Sequence, residues 1–365
     1  RMLVRALAGR VARKDEAFDR LLPVLLTSDS ETGALFYFGE YLCVADTNFR
    51  RLERLLSVEG STSQCLGGYL SSLKKRDEDR WSDILLRLLK NAAAAKQGAD
   101  LAWRTGFNDE VFDAWLHAFE CGWIEPGYFR CLGYGKSWEA IPTDRLGRLL
   151  TLLSDRMDQI SASVLVDLLD EILAKDIWPV DSDFVYKVVT AQPQFEKRQH
   201  NNTTHAYNWH SVCEKLVSRD PQKAMPLLDV LLRQMSNDHG LSYDHYIAPL
   251  AQALCRINPA EAWEVVASHL LSTAPKLRWD LLTWLKGGIG GFGDEKNLVP
   301  PIAGFPLQAI LDWIAQDPED RSSMIAHCAP YSLDDEYGGA LTRALLAQYR
   351  NVDGVLGGIS ANFHS

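Results

Sequence analysis

Apolar residues recur along this chain at the three- and four-residue spacing of amphipathic α-helices. The pattern is clearest in four segments: Trp81/Ile84/Leu85/Leu88, Phe112/Trp115/Leu116/Phe119, Leu165/Leu168/Leu169/Ile172 and Ile247/Leu250/Ala251/Leu254. In each segment the apolar side chains form one stripe, which has to be buried against a neighbouring helix. The alternating pattern of a strand nowhere extends over more than a few residues. The sequence therefore predicts an all-α fold.

Capping residues and prolines mark where several of these helices begin. Asn108 is followed by the acidic pair Asp109-Glu110 and then by an apolar stripe. The pairs Asp220-Pro221, Asn258-Pro259 and Asp317-Pro318 each combine a capping side chain with a proline suited to the first helical position. We therefore expect a helix to begin at each of these four positions.

Two of these starts indicate an internal repeat. Pro221 and Pro259 are 38 positions apart (259 − 221), and a similar apolar segment follows each. That offset is close to the ~40–47 residues of HEAT and armadillo repeats, which are built from helix pairs. The next such start lies 59 positions further on (317 − 258), so the repeat is irregular. We predict a degenerate HEAT/armadillo-like α-solenoid of roughly eight to ten stacked helix pairs; the alternative is that two caps are alike by coincidence.

Two segments interrupt the helical pattern. Residues 192–204 are polar and are predicted to form a loop or joint between an N-terminal lobe, 1–191, and a C-terminal lobe, 205–365. Residues 287–306 contain six glycines and three prolines, which predicts a long insertion in the second lobe. A loop of that length is either functional or mobile. Both segments are better candidates for a recognition surface than any single helix.

The overall charge argues against a nucleic-acid-binding surface. The net charge is −10, whereas contacts to phosphates need a basic surface. The segment before Asp15 is a local exception, with basic residues and one apolar face: Arg1, Arg5, Arg10, Arg13, Lys14 and Leu3, Val4, Leu7, Val11. We interpret it as a docked helix with a solvated basic face. A nucleic-acid-binding array that uses this helix is an alternative.

The seven cysteines are scattered and never form a C-x-x-C pair. Such cysteines are typical of reduced core residues in a cytosolic protein. No apolar run reaches the ~18 residues that a membrane span requires. We therefore expect a cytoplasmic protein without a membrane segment.

Motifs for catalysis or cofactor binding have no convincing match. Gly288 to Gly293 formally satisfies G-x-G-x-x-G, but no strand precedes it and the acidic pair Asp294-Glu295 follows, which would repel a phosphate. G-x-S-x-G and H-E-x-x-H are both absent from the sequence. The sequence predicts no enzyme activity and no cofactor.

Three histidines and a cysteine form the densest cluster of possible metal ligands: His200, His205, His210 and Cys213. His210 and Cys213 would share one face of a helix, as pairs of zinc ligands do. The five-residue spacing of the histidines turns the imidazoles apart on a helix, however, and no second ligand pair completes the set. We predict a polar loop and a buried cysteine, and a metal-dependent enzyme on a helical fold is kept as an alternative.

The eleven tryptophans divide into two groups. Those on apolar stripes are predicted to be core anchors: Trp81, Trp115, Trp263 and Trp313. Those beside the two interrupting segments are candidate binding residues, because aromatic residues near loops are frequent interface hot spots: Trp209, Trp279 and Trp284. From the second segment itself, the candidate binding residues are Phe292, Asp294 and Glu295.

The Asp/Asn-Pro helix starts and the terminal residues Ile359-Ser360-Ala361-Asn362-Phe363-His364-Ser365 carry a resemblance. The chain resembles the carboxy-terminal helical-repeat regions of large bacterial STAND-type antiphage ATPases. The resemblance implies an α-solenoid that senses a viral or cellular protein, while a separate NTPase module drives assembly. The resemblance assigns no residue of this sequence a role in ATP binding, because the sequence does not include that module.

Both ends suggest a piece of a longer polypeptide with flanking domains. The chain opens on Arg1 rather than Met, and no polar capping repeat closes it. We therefore expect a protein-binding sensor or scaffold region of a larger intracellular bacterial protein, with a role in antiviral defence.

Overall fold

The computed structural model describes residues 2–27, 33–56, 63–133, 141–175, 180–196, 203–235, 246–271, 274–287, 300–330, 333 and 339–363. Every regular element in these ranges is a helix, and no strand occurs within them. The prediction of an all-α fold is confirmed. The chain divides into two compact units, Arg1–Arg156 and Met157–Ser365.

Unit 1 consists of stacked helix pairs followed by a 3-10 helix, Pro126–Gly133, and a last α-helix. The helices are α1 Met2–Arg13, α2 Asp15–Thr27, α3 Ala34–Ala45, α4 Arg50–Leu56, α5 Ser63–Arg76, α6 Glu78–Leu89, α7 Ala95–Thr105, α8 Asp109–Glu120 and α9 Thr143–Arg156. Helices α1, α3, α5 and α7 pack against one another in succession. In the second layer α6 packs on α8, and Arg54 of α4 pairs with Asp19 of α2.

Unit 2 has the same two-layer plan with longer pairs. Its helices are α10 Gln159–Lys175, α11 Ser182–Val189, α12 Thr203–Arg219, α13 Ala224–Gln234, α14 Ala248–Cys255, α15 Pro259–Leu270, α16 Pro275–Leu285, α17 Leu307–Ala315, α18 Pro318–Ala326, α19 Gly339–Tyr349 and α20 Val355–Phe363. Short 3-10 helices cover Gln192–Gln194, Pro221–Lys223 and Pro301–Gly304. Helices α10 and α12 pack side by side, as do α13 and α15, α15 and α17, and α18 and α20.

The predicted capping residues act as caps. The Asn108 side chain accepts a hydrogen bond from the backbone N–H three residues on, at 2.9 Å. Asn258 and Asp317 accept from the corresponding N–H groups at 3.5 Å, and Asp220 accepts from the N–H two residues on at 3.2 Å. Each bond satisfies an N–H that the helix itself leaves without a partner. Pro221 differs in starting a 3-10 turn ahead of α13.

Contacts at a constant spacing indicate a repeat in one helix layer of unit 2. Side chains on α11, on α13 with the 3-10 turn before it, and on α15 make contacts that join positions 40 apart: Asp183 with Lys223, Tyr186 with Pro226, and Asp229 with His269. This period agrees with helix pairs of about 40 residues. In unit 1, α5 begins at Ser63 and α7 at Ala95, so a pair there takes only about 30 residues, fewer than the ~40 predicted.

The boundary between the units lies elsewhere than the sequence predicted. The predicted joint at 192–204 falls inside unit 2, and its described part packs there: the buried Gln194 side chain donates to the carbonyl oxygens of Ala162 and Val188, both at 3.1 Å. The two compact units divide after Arg156, whereas the predicted lobes are 1–191 and 205–365. A polar segment indicates a loop, but it does not reveal whether the flanking helices pack together.

The core contains the four tryptophans assigned to it, since Trp81, Trp115, Trp263 and Trp313 are all buried. Five of the cysteines are buried as well. Cys121 is exposed and Cys131 is half-buried, so the expectation of a core position is wrong for these two. In the part of the chain that the structure describes, no helix combines the length and apolar character of a membrane span.

Candidate binding groove

One of the three candidate tryptophans is accessible. Trp279 is 70% exposed, whereas Trp209 and Trp284 lie in the core at 0% and 1% exposure. The indole N–H of Trp209 donates to the carbonyl oxygen of Val189 at 3.0 Å. Trp209 and Trp284 are therefore core residues, because proximity to a loop in sequence does not determine which helix face a side chain occupies. Phe292, Asp294 and Glu295 lie outside the described residues.

Trp279 lies at the edge of an open cavity of about 630 Å³ formed by α16, α18 and α20, here called the Trp279 groove. Its lining combines one exposed aromatic ring with aliphatic, hydroxyl and charged side chains: Arg278, Trp279, Leu282, Thr283, Lys286, Asp320, Ser323, Met324, His327, Ala361 and Asn362. A volume of this size accommodates a few side chains of a bound partner.

Helix α16 supplies one wall because of its amphipathic pattern. Its buried stripe consists of Leu277, Leu281, Trp284 and Leu285. The opposite positions therefore turn outward, and Trp279 and Leu282 line the groove. The Thr283 hydroxyl donates to the carbonyl oxygen of Trp279 at 2.9 Å, a bond within the helix.

Helix α18 forms the floor. Ser322, Ile325 and Ala326 are buried on its inner side, which leaves Met324 and His327 on the groove side. Arg321 points away from the groove, where its guanidinium donates to the carbonyl oxygen of Trp313 at 2.8 Å and lies 4.7 Å from the centre of that ring.

Helix α20 forms the far wall through residues at four-residue spacing that face α18. Gly354 starts the turn with φ of +82°, a conformation that side chains other than glycine rarely adopt. A Cβ on Gly358 would lie 3.1 Å from Ala326, so the two backbones are in close contact. The Asn362 amide donates to the carbonyl oxygens of Ala326 and Ala329, at 3.0 and 2.9 Å. These bonds satisfy carbonyls at the end of α18 and attach α20 to it.

Charged side chains of both signs line the groove: Arg278, Lys286 and Asp320. The first turn of α18 contains Glu319 and Asp320 and follows the cap Asp317. At the other end of α18 lie Lys286 and His327. Burial raises the pKa of Cys328 to about 12, and the positive charge of Lys286 opposes that shift, which places this ammonium near the carboxyl end of α18.

The candidate metal ligands do not form a site in the described residues. His205 is buried, with Nδ1 3.3 Å from the hydroxyl of Ser163. Burial raises the pKa of Cys213 well above its ordinary value, so the thiol stays protonated, and burial lowers the pKa of His210. His200 lies outside the described residues. Among those that are described, no three His, Cys, Asp or Glu side chains are grouped to hold a metal.

The basic helix α1 is docked through only part of the predicted apolar face. Ala8 and Val11 are buried, whereas Leu3 and Leu7 are exposed. A cavity of about 600 Å³ between α1 and α2 has a lining of mixed charge: Arg10, Lys14 and Arg20 with Asp15 and Glu16. The acidic residues interrupt the basic stripe that a phosphate backbone would require.

Comparisons with known proteins found no match: no protein-family model, no curated protein and no solved structure resembles the chain. The similarity to antiphage ATPases stays a prediction.

Proposed function

We propose that this chain is a protein-binding helical-repeat region and that it holds its partner in the Trp279 groove. The observation that carries the proposal is the position of Trp279, a large ring with 70% exposure that lines a cavity together with Leu282 and Met324. Aromatic anchors that fit against a pocket contribute much of the binding energy in protein interfaces. An exposed tryptophan without such a role leaves apolar surface in water at a free-energy cost.

The architecture supports this proposal. Stacked helix pairs present long surfaces to a partner, and each pair contributes one helix to the same layer. The Trp279 groove lies on such a layer, formed by α16, α18 and α20. The resemblance implies that the partner is a viral or cellular protein that a bacterial defence ATPase senses. In this proposal the chain is the sensor of that larger assembly.

Site-specific crosslinking in cells tests the proposal. A photo-crosslinking amino acid replaces Thr283 in the groove, and in a matched chain it replaces Tyr207, which is 64% exposed on α12. We expect one protein to be crosslinked from position 283 only. Trp279→Ala should abolish that product, and Tyr207→Ala, a loss of another exposed ring, should leave it unchanged.

Two results would contradict the proposal. If positions 283 and 207 crosslink the same set of proteins, the groove has no specific partner. If the specific product persists in Trp279→Ala, the exposed indole does not contribute to the interaction.

A further inference from the structure

The cavity of about 600 Å³ between α1 and α2 is a second candidate binding surface, here called the α1–α2 groove. We propose that it binds an acidic amphipathic helix of a second partner protein. Leucine side chains of that helix pack on Leu7 and Leu21, and its carboxylates pair with the cationic side chains of the lining. This inference goes beyond the proposed function and does not depend on it.

One face of α1 gives the groove an apolar end and a basic end. Leu7, Arg10 and Lys14 line the groove at three- and four-residue spacing, so they share one face of the helix. Leu3 extends that face by four residues. Leu3 is 87% exposed and Leu7 is 46% exposed. Burial of these two side chains against an apolar partner surface would therefore be favourable.

The positive charge of the groove is only partly offset by acidic side chains. Three exposed cationic side chains of the lining form no ion pair or hydrogen bond with any residue that the structure describes: Arg10, Lys14 and Arg20. Of the two acidic residues in the described lining, Asp15 is already paired with Arg51 of α4, at 2.5 Å. The carboxylate of Glu16 is therefore the one negative charge left to oppose three positive charges.

An acidic amphipathic helix is complementary to both properties of the groove. Its leucines, at three- and four-residue spacing, would cover Leu3 and Leu7, and carboxylates one turn further on would lie beside Arg10 and Lys14. Arg20 supplies a contact from the α2 wall. The chain as a whole has a net charge of −10, so an acidic partner is attracted to this basic groove and repelled by most of the remaining surface.

Other anionic occupants fit the groove less well. A nucleic-acid strand has a phosphate at every residue, so one of them would lie beside the Glu16 carboxylate. An amphipathic helix that binds lipid inserts its whole apolar face, whereas Ala8 and Val11 of α1 are buried in the protein. A partner helix meets neither difficulty, because its carboxylates can be placed beside the cations alone.

Binding of short synthetic helical peptides to the whole chain, measured by fluorescence anisotropy, tests the inference. Three peptides share one leucine stripe and differ only in the residues beside it: glutamates, glutamines or lysines. We expect the acidic peptide to bind most tightly, at least about tenfold more tightly than the basic one, because attraction at several exposed pairs becomes repulsion.

Charge reversal on α1 locates the binding site. The double variant Arg10→Glu/Lys14→Glu should remove or reverse the preference for the acidic peptide. Arg13→Glu is the matched control on the same helix, since Arg13 donates to the carbonyl oxygen of Gly9 at 3.0 Å and does not line the groove. Leu7→Ala should weaken binding of all three peptides, because the leucine stripe loses part of its contact surface.

A separate substitution on α2 guards against a local loss of α1 structure. Arg20→Glu reverses one charge of the opposite wall and should also weaken binding of the acidic peptide. Circular dichroism of each variant shows whether the helices are intact.

Four outcomes would overturn the inference. Equal binding of the three peptides, or binding of none, excludes the stated ligand class. An equal loss of acidic-peptide binding in Arg13→Glu would show that overall charge, and not the groove, determines affinity. Displacement of the acidic peptide by a duplex oligonucleotide, or by vesicles of phosphatidylserine and phosphatidylcholine, would favour nucleic acid or lipid. Self-association in sedimentation velocity that Arg10→Glu/Lys14→Glu abolishes would mean that a second copy of the chain occupies the groove.

Discussion

Gly39 of α3 lies so close to the backbone of Cys65 in α5 that a Cβ on Gly39 would be 2.0 Å from the Cys65 carbonyl oxygen. Gly68 makes the reciprocal contact, since its Cβ would lie 1.9 Å from the carbonyl oxygen of Phe36. Only glycine at both positions allows the two helices to approach this closely. The packing of α3 on α5 therefore requires that neither position has a side chain.

Gly39→Ala should destabilise unit 1, because the added methyl group meets backbone atoms that cannot rotate away. We expect a loss of at least about 1–3 kcal/mol in the free energy of unfolding, the usual cost of overpacking. Chemical denaturation followed by circular dichroism measures it. Gly9→Ala is the control: the nearest atom to its Cβ is the end of the Arg13 side chain at 3.6 Å. Equal stability of the two variants would show that α3 and α5 are further apart.

Neighbouring glycines of α20 provide a similar pair for the Trp279 groove. A side chain at Gly358 would press on Ala326, whereas a Cβ on Gly357 meets nothing within 4 Å. Gly358→Leu should destabilise the α18–α20 packing by about 1–3 kcal/mol. Gly357→Leu should be neutral or stabilise by up to about 1 kcal/mol, since glycine is a poor helix former. Hydrogen exchange of the α20 amides measures both, and faster exchange in Gly357→Leu as well would contradict the packing.

Two tryptophans on α16 should respond differently to truncation. Trp284→Ala removes a fully buried ring and should cost about 3–5 kcal/mol of unfolding free energy. Trp279→Ala removes an exposed ring and should change stability by no more than about 0.5 kcal/mol. Urea denaturation of the two variants checks this. A large loss of stability in Trp279→Ala would mean that the ring supports the fold instead of being available to a partner.

The ion pair between Asp113 and Arg145 should make stability depend on pH in acid. Arg145 donates to both carboxylate oxygens of Asp113, at 2.8 and 2.9 Å, and these hydrogen bonds lower the pKa of Asp113 below its ordinary 3.8. Because the pKa is lower in the folded state, the contribution is present above pH 3.8 and is lost as the pH falls through the folded value. Asp113 is 43% exposed, so the contribution is about 1 kcal/mol or less.

Asp113→Asn provides the measurement. The wild-type chain should have the higher urea midpoint at pH 6, and the difference should shrink as the pH falls below 3.8. A difference that stays constant down to pH 2 would indicate a cause other than ionisation of this carboxyl group.

Structural features that depend only on neighbouring residues along the chain could be predicted from the sequence. The four caps and the helical stripes each need only a few residues within one turn or two, and the structure confirms them. Trp81 and Trp115 could be placed in the core because their own stripes are apolar. Trp209 and Trp284 also lie in the core, since the apolar stripe to which each belongs determines its position more strongly than its distance from a loop does.

The Trp279 groove could not be predicted beyond Trp279 itself. Its lining combines Trp279, Met324 and Ala361, which come from three helices far apart in sequence. The roles of Gly358 and Asn362 depend on Ala326, a partner more than thirty residues away. A glycine inside an apolar helix is the one local signal of such close packing, since glycine otherwise weakens a helix.

The contacts that join positions 40 apart in unit 2 have a consequence for how this protein can change its length. Asp183 and Lys223 occupy equivalent points of two successive helix pairs, and so do Asp229 and His269. Gain or loss of a whole pair would bring equivalent surfaces together again, and the new junction would resemble the old one. Gain or loss of half a pair would set a helix of one layer against the other layer and turn its apolar side toward water. Viable insertions and deletions in this region should therefore come in steps of about 40 residues.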